Sequence, residues 1–217
     1  MTSKIAVLLA AGKGTRMRSS IPKVLHQLCG KAMVSHVLDA AIHADYSKVL
    51  VVVPPEHEEI KKTLGETVTY AVQARPLGSG DALLSARDVL PSHMRTGPVT
   101  VLAADVPLIT SDWLREMQMA HEHTRAKITL LTAVVDDPTG LGRIVRGLDH
   151  RVERVVEEAD ASDALLDINE INTGIYIFCN RSRTDKTHCH DIRIIQNLSL
   201  IHISEPTRPR LISYAVF

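Results

Sequence analysis

Ile5-Ala6-Val7-Leu8-Leu9-Ala10-Ala11-Gly12-Lys13-Gly14-Thr15-Arg16-Met17, followed five residues on by Pro22-Lys23, decides how this chain is read. The apolar run Ile5 to Leu9 predicts a buried strand. It empties into a loop carrying Gly12 and Gly14 with the cationic side chains Lys13, Arg16 and Lys23. Glycines let the backbone approach a ligand closely, and nearby cations suit phosphate. A nucleoside triphosphate is the simplest ligand that wants both. Two familiar phosphate loops are excluded. The spacing is not Gly-x-x-x-x-Gly-Lys-Ser/Thr, and Met17 stands where a dinucleotide fingerprint needs its third glycine. A glycine turn between strand and helix, flanked by solvated lysines, would give the same local pattern.

The 217 residues suffice for one domain with a real core, and 45% hydrophobic content marks it as globular. Lysine plus arginine balance aspartate plus glutamate at 25 each, so no basic excess points to nucleic acid or an acidic membrane surface. A phosphate site must then be built locally. Cys29, Cys179 and Cys189 show no CxxC pairing, which predicts reduced, cytoplasmic chemistry. Ile5 to Ala11 is too short for a secretory core and is followed by Gly-Lys-Gly-Thr-Arg rather than a cleavage site. No apolar run approaches the ~18 residues of a membrane span.

Strands and helices are expected to alternate. Lys48–Val53 and Val99–Ala104 read as doubly buried strands, with Val68–Val72, Ile128–Val135, Val152–Glu157 and Gly174–Phe178 as further strands. Helices are predicted over Met33–Ala44, from Glu56 onward after Pro54-Pro55, over Gly80–Leu90 and over Ser111–His123. Such alternation predicts an α/β fold: a Rossmann-like, mostly parallel sheet with helices on both faces. Ligands of such sheets sit beyond the carboxyl ends of the strands, where the glycine loop falls. The tail breaks the rhythm. His188-Cys189-His190 lacks a second ligand pair at zinc spacing, and Ser199 to Pro209 reads as translated adapter or vector sequence. We therefore expect a nucleotidyltransferase domain over residues 1–180, incomplete at its C-terminal end, and a non-native tail over 181–217.

Three later blocks carry chemistry. Leu102-Ala103-Ala104-Asp105-Val106-Pro107 puts a carboxylate directly after a buried strand, at the same sheet edge as the loop. Mg²⁺ is held by one or two carboxylates plus substrate phosphates, so Asp105 is the natural metal ligand, or else a turn cap before Pro107. Gln73 follows a strand and offers an amide that both donates and accepts, suited to a base edge. The Gly78-Ser79-Gly80 turn after it allows close approach, or is an ordinary helix start with Ser79 as N-cap. Gly142, Glu157 and Asn172 are hydroxyl- and amide-reading groups suited to a sugar, although turns are rich in glycine and asparagine.

The opening loop with Pro22-Lys23 resembles the signature of the sugar-phosphate and alditol-phosphate nucleotidyltransferases. Pro22 to His26, Gly30 to Ala40, Gln73 to Ala82, Asp105 to Leu108, Asp136 to Ile144 and Glu170 to Ile175 narrow the resemblance. Over residues 4–178 the chain is similar to the uridyltransferase domain of the bifunctional N-acetylglucosamine-1-phosphate uridyltransferase/glucosamine-1-phosphate acetyltransferase family. That resemblance implies the nucleotide-diphospho-sugar transferase fold and the joining of UTP to N-acetylglucosamine 1-phosphate, feeding cell-wall and lipopolysaccharide synthesis. It implies nucleoside contacts from Leu9, Ala10, Ala11 and Gly12, and phosphate contacts from Arg16 and Lys23. Gln73 with the Gly78-Ser79 turn would recognise uracil, and Asp105 would hold Mg²⁺. Gly142, Glu157 and Asn172 would hold the N-acetylglucosamine moiety. Family members form homotrimers, largely through an acetyltransferase half absent here. They also draw a second metal ligand, an asparagine, from a later strand, which has no counterpart after Phe178. Where they carry Tyr-Gly before the aspartate this chain has Ala103-Ala104, and the Ala104 methyl is expected where substrate passes. CTP- or GTP-using relatives of the same fold, and a nucleotide-sugar binder without turnover, are the competing readings.

Overall fold

The computed structural model of the chain describes residues 4–12, 14, 17, 19–90, 97–124, 126–148 and 150–179, and the backbone of 212–216. In chain order, β1 (Ile5–Leu9) leads through a 3₁₀ turn at Lys23–Leu25 to the small hairpin β2 (Gln27–Leu28) and β3 (Lys31–Ala32). Next come α1 (Met33–His43), β4 (Lys48–Val53), α2 (Glu58–Leu64), β5 (Thr69–Val72), α3 (Ser79–Val89) and β6 (Pro98–Ala103). α4 (Ser111–Thr124), β7 (Ile128–Val134), β8 (Arg143–Arg146), β9 (Val152–Val156), α5 (Asp163–Leu166), β10 (Glu170–Cys179) and β11 (Ile212–Val216) follow.

The main sheet runs β11-β7-β10-β6-β1-β4-β5, with β8 pairing both β10 and β9. β1 lies between β4 and β6, parallel to both, and Leu9 sits level with Val52 and Ala103. β1, β4 and β6 are all but wholly buried, which is why they read as continuous Val/Leu runs rather than alternating ones. β10 runs antiparallel to both β6 and β7, so β7 regains the direction of the parallel strands. The side-chain period of two splits the core. Ala6, Leu8 and Ala10 pack with Val37 of α1, Ile60 of α2 and Leu114 and Met117 of α4. Ile5, Val7 and Leu9 pack with Ala82 and Ala86 of α3 and with Ile144 and Val152. Helices therefore cover both faces, as the alternation predicts. No helix among the described residues is long and apolar enough to cross a membrane.

Several expectations shift. α2 starts at Glu58 rather than Glu56, and the strand expected at Gly174–Phe178 is the second half of the ten-residue β10. β8, α5 and the β2–β3 hairpin were not anticipated. Within 181–217, which the sequence reading takes as a non-native tail, the backbone of residues 212–216 pairs antiparallel with β7 from Ile212↔Ala133 to Val216↔Thr129. A β-prone stretch takes up the edge that β7 otherwise leaves open. His188-Cys189-His190 lies outside the described residues.

Candidate active site

The site is built where the parallel strands end. Leaving β1, Ala10 N–H donates to the Val52 carbonyl (2.8 Å), and the Leu9 carbonyl accepts from Ala104 N–H (3.2 Å). The chain leaving β6 is thereby tied to the chain leaving β1, so Asp105 stands beside the root of the glycine loop. Lys23 reaches the same spot from the 3₁₀ turn: its Nζ lies 2.6 Å from Asp105 Oδ2, with side chains only 14% and 7% exposed. Gly14 completes the contact. It adopts φ +56°, and a Cβ there would stand 2.7 Å from Lys23 Cβ. Only glycine lets the loop lie against the stem of that lysine. Loop, lysine and carboxylate thus meet at one rim, as the sequence predicts. Arg16 lies outside the described residues.

The other predicted residues fall into two groups around this rim. Leu9, Ala10 and Ala11 are buried, so any contact they make with a nucleoside is through backbone, while Gly12 is open. Gln73 is buried at the end of β5; its Nε2 donates to the Gly78 carbonyl (3.0 Å) and to Asp81 Oδ2 (2.8 Å). The donor half of this amide is used internally and the acceptor Oε1 is the half left for a base. Gly78, at φ +106°, occupies the N-cap of α3. Ser79 is therefore the first helical residue and not the cap expected of it.

On the far side of β6, strand pairing gathers the three sugar candidates. Arg143 is level with Val156 across β8–β9 and with Ile171 across β8–β10. One position on, Gly142 falls between Glu157 and Asn172, and Asn172 N–H donates to the Gly142 carbonyl (2.9 Å). Gly174 lies near Ala103, a Cβ built on it standing 3.9 Å from the Ala103 Cβ, so the start of β10 delivers this row to the Asp105 end of β6. The expectation for Ala104 is corrected: it is wholly buried in the core on the α1/α4 face, and its methyl does not enter a substrate path.

Among the described residues no three His, Cys, Asp or Glu side chains cluster as a metal cage. Asp105 offers hard carboxylate oxygen at the rim, and Mg²⁺ is commonly held by one or two carboxylates completed by phosphate oxygens and water. The donor set fits that pattern of binding.

The domain description "MobA-like NTP transferase domain" matches residues 6–167. The chain belongs to this family. Its NTP transferase domain is 48% identical over 177 residues to the "Bifunctional protein GlmU" of Exiguobacterium sp., covering 82% of this chain and 39% of that protein. It is 44% identical over 182 residues to the protein of the same name from Bacillus subtilis, covering 84% and 40%. The chain thus spans about two fifths of the length of these relatives. Among solved structures, a UDP-glucose pyrophosphorylase complexed with UDP-glucose superposes with TM-score 0.67 at 17% identity, covering 81% of this chain and 76% of that one. A putative glucose-1-phosphate thymidylyltransferase from Bacillus anthracis gives 0.68 at 20%, covering 82% and 72%. At such identities these two speak for the fold alone.

Two residues beside these candidates escape a reading of motifs. Arg143, 2% exposed, donates to the Pro138 carbonyl (2.7 Å) and the Leu141 carbonyl, and lies 3.5 Å from Glu158. It ties down the loop that presents Gly142. An arginine between Gly142 and the apolar Ile144 is the only sequence signal of this. Tyr176 is buried and donates to Asn172 Oδ1 (2.7 Å); burial, with the Glu157 carboxylate nearby, pushes its phenol far above the ordinary range.

Proposed function

We propose that this domain joins UTP and N-acetylglucosamine 1-phosphate to give UDP-N-acetylglucosamine and pyrophosphate. The single observation that carries the reading is the Lys23–Asp105 contact at the strand ends, held by Gly14. A sugar-phosphate oxygen attacks the α-phosphorus of UTP, forming the new P–O bond as the bond to pyrophosphate breaks. A phosphate monoester is largely dianionic at neutral pH because its second pKa is about 6, so the nucleophile needs no general base. The obstacle is repulsion between anions and charge gathering on the leaving group.

Lys23 addresses both. Its ammonium has three donors, enough to hold Asp105 and a phosphate oxygen together, and Arg16 would add a second cation from the loop. Mg²⁺ held by Asp105 would neutralise phosphate charge and orient the reacting groups. Base choice follows from Gln73. With its donors turned inward, Oε1 is suited to accept N3–H of uracil, whereas N3 of cytosine is itself an acceptor and would be repelled. Gly142, Glu157 and Asn172 would receive the sugar. We place the catalytic unit in residues 1–180, working in the cytoplasm, with trimer formation assigned to sequence beyond this domain.

Pyrophosphate release from the purified chain with N-acetylglucosamine 1-phosphate and Mg²⁺ tests the reading against UTP, CTP and GTP. UTP should be preferred by roughly ten- to hundredfold, the scale of one satisfied against one frustrated hydrogen bond. Equal use of CTP, or calorimetric binding of UDP-N-acetylglucosamine without any pyrophosphate release from UTP, refutes it.

A further inference from the structure

Resting on the reading of the β8–β10 row as a sugar site, we propose that Tyr176 is a positioning residue that makes Asn172 a donor-only reader of a sugar oxygen. The bulge in β10 creates the arrangement. Asn172 pairs with Thr132 and Tyr176 with Leu130, so four positions on β10 answer two on β7. The surplus is pinned at its start by Thr173, whose hydroxyl donates to the Leu131 carbonyl (2.6 Å). Gly174 at φ +76° lets the chain fold back. Its N–H then points at Asn172 Oδ1 (3.1 Å), and the Tyr176 hydroxyl reaches the same atom (2.7 Å).

A backbone N–H can only donate, so the atom facing Gly174 has to be the amide oxygen. The amide nitrogen consequently faces away, with two N–H donors to offer. The terminal torsion of asparagine is soft, and one contact at 3.1 Å leaves it loosely held. The second, shorter bond from Tyr176 fixes it. The phenol stays protonated far into the alkaline range because burial and Glu157 both disfavour its ionised form. Phe178 stacks on the ring (5.7 Å between centroids) and holds it in place independently of the hydroxyl. The ligand feature that matches two fixed donors is an oxygen acceptor on the sugar, such as an acetamido carbonyl.

Calorimetry with UDP and UDP-N-acetylglucosamine on the full chain and its Tyr176→Phe variant tests this without requiring turnover. The parent should bind the sugar nucleotide more tightly than UDP. In the variant that preference should shrink by roughly three- to tenfold, the worth of one buried hydrogen bond, while UDP affinity stays within about twofold. Asn172→Ala should abolish the preference. Should the phenylalanine variant fail to fold, Tyr176→Met fills similar volume without a hydroxyl and carries the same expectation. A parent preference that survives undiminished in Tyr176→Phe overturns the positioning role alone. A parent with no preference for the sugar nucleotide overturns the sugar site and this inference with it.

Discussion

Gly14→Ala is the perturbation whose cost follows most directly from geometry. Two separate penalties arise. Alanine at φ +56° occupies the left-handed region, costing about 1–2 kcal/mol. The new Cβ also lands 2.7 Å from Lys23 Cβ, where 3.4 Å begins ordinary contact, so the lysine stem must retreat by about 0.7 Å. That stem cannot yield like a side-chain tip, because Lys23 opens a 3₁₀ turn whose next residue, Val24, is buried. Displacing it lengthens the 2.6 Å link to Asp105 and loosens a nearly buried ion pair, adding about 1 kcal/mol. The sum, about 2–3 kcal/mol, corresponds to a drop of about 4–12 °C in Tm at 2–4 °C per kcal/mol for a domain of this size. Gly30→Ala is the matched control: φ is +78° there, but nothing lies within 4 Å of the added Cβ. It should show the conformational part alone and keep its turnover. Differential scanning calorimetry and pyrophosphate release on the pair decide the matter. Equal Tm losses and equal activities would refute the claim that Gly14 is there to seat Lys23.

Asp105→Ala should lower turnover by roughly two orders of magnitude or more, as loss of a preorganised charged group does, and a rate within a few-fold of the parent would sink its assignment. Arg143→Leu takes the guanidinium donor from the Leu141 carbonyl, leaves the Pro138 carbonyl with only the Leu141 N–H (3.1 Å), and leaves Glu158 without its buried counter-charge. We expect a loss of about 2–3 kcal/mol by urea denaturation together with weakened UDP-N-acetylglucosamine binding. Tyr46 and Tyr176 both have folded pKa values raised by burial. A raised pKa contributes stability that is intact below the unfolded value of 10.0 and is lost as pH rises beyond it, because only the unfolded chain can then release the proton. Unfolding free energies from urea titrations between pH 9 and 11 should therefore fall by up to about 1.4 kcal/mol per pH unit per tyrosine above pH 10, and the Tyr46→Phe/Tyr176→Phe double variant should flatten that limb.

The strands and helices that the sequence announces are those whose burial is uniform along one element. β1, β4 and β6 are covered on both faces and so appear as unbroken apolar runs, and α1 buries Val34, Val37, Leu38 and Ala41 at helical spacing. Asp105 was legible because a carboxylate that ends such a run has one place to go. What escaped depends on pairing between distant segments. β8 places the buried charge of Arg143 where alternation calls for an apolar residue, and the first half of β10 reads Glu-Ile-Asn-Thr-Gly, a turn composition. Nothing local says that this stretch slots in reverse between β7 and β8, or that Tyr176 reaches back to Asn172. Gln73 was visible as a polar residue at a strand end, but the direction of its amide is set by Gly78 and Asp81, after a turn that sequence alone does not orient.

The reversed strand has an architectural consequence. Because β10 runs against its neighbours, it brings its beginning, not its end, to the rim where the others finish, and it does so without a crossover helix. One flank of the rim is thus made of strand exits and the other of a strand entrance with its β8–β9 hairpin. The hairpin can accept new side chains while the flank built by β1, β5 and β6 stays as it is. On the proposed function, such a scaffold would change its choice of sugar at one side of the rim and leave the grip on the triphosphate at the other untouched.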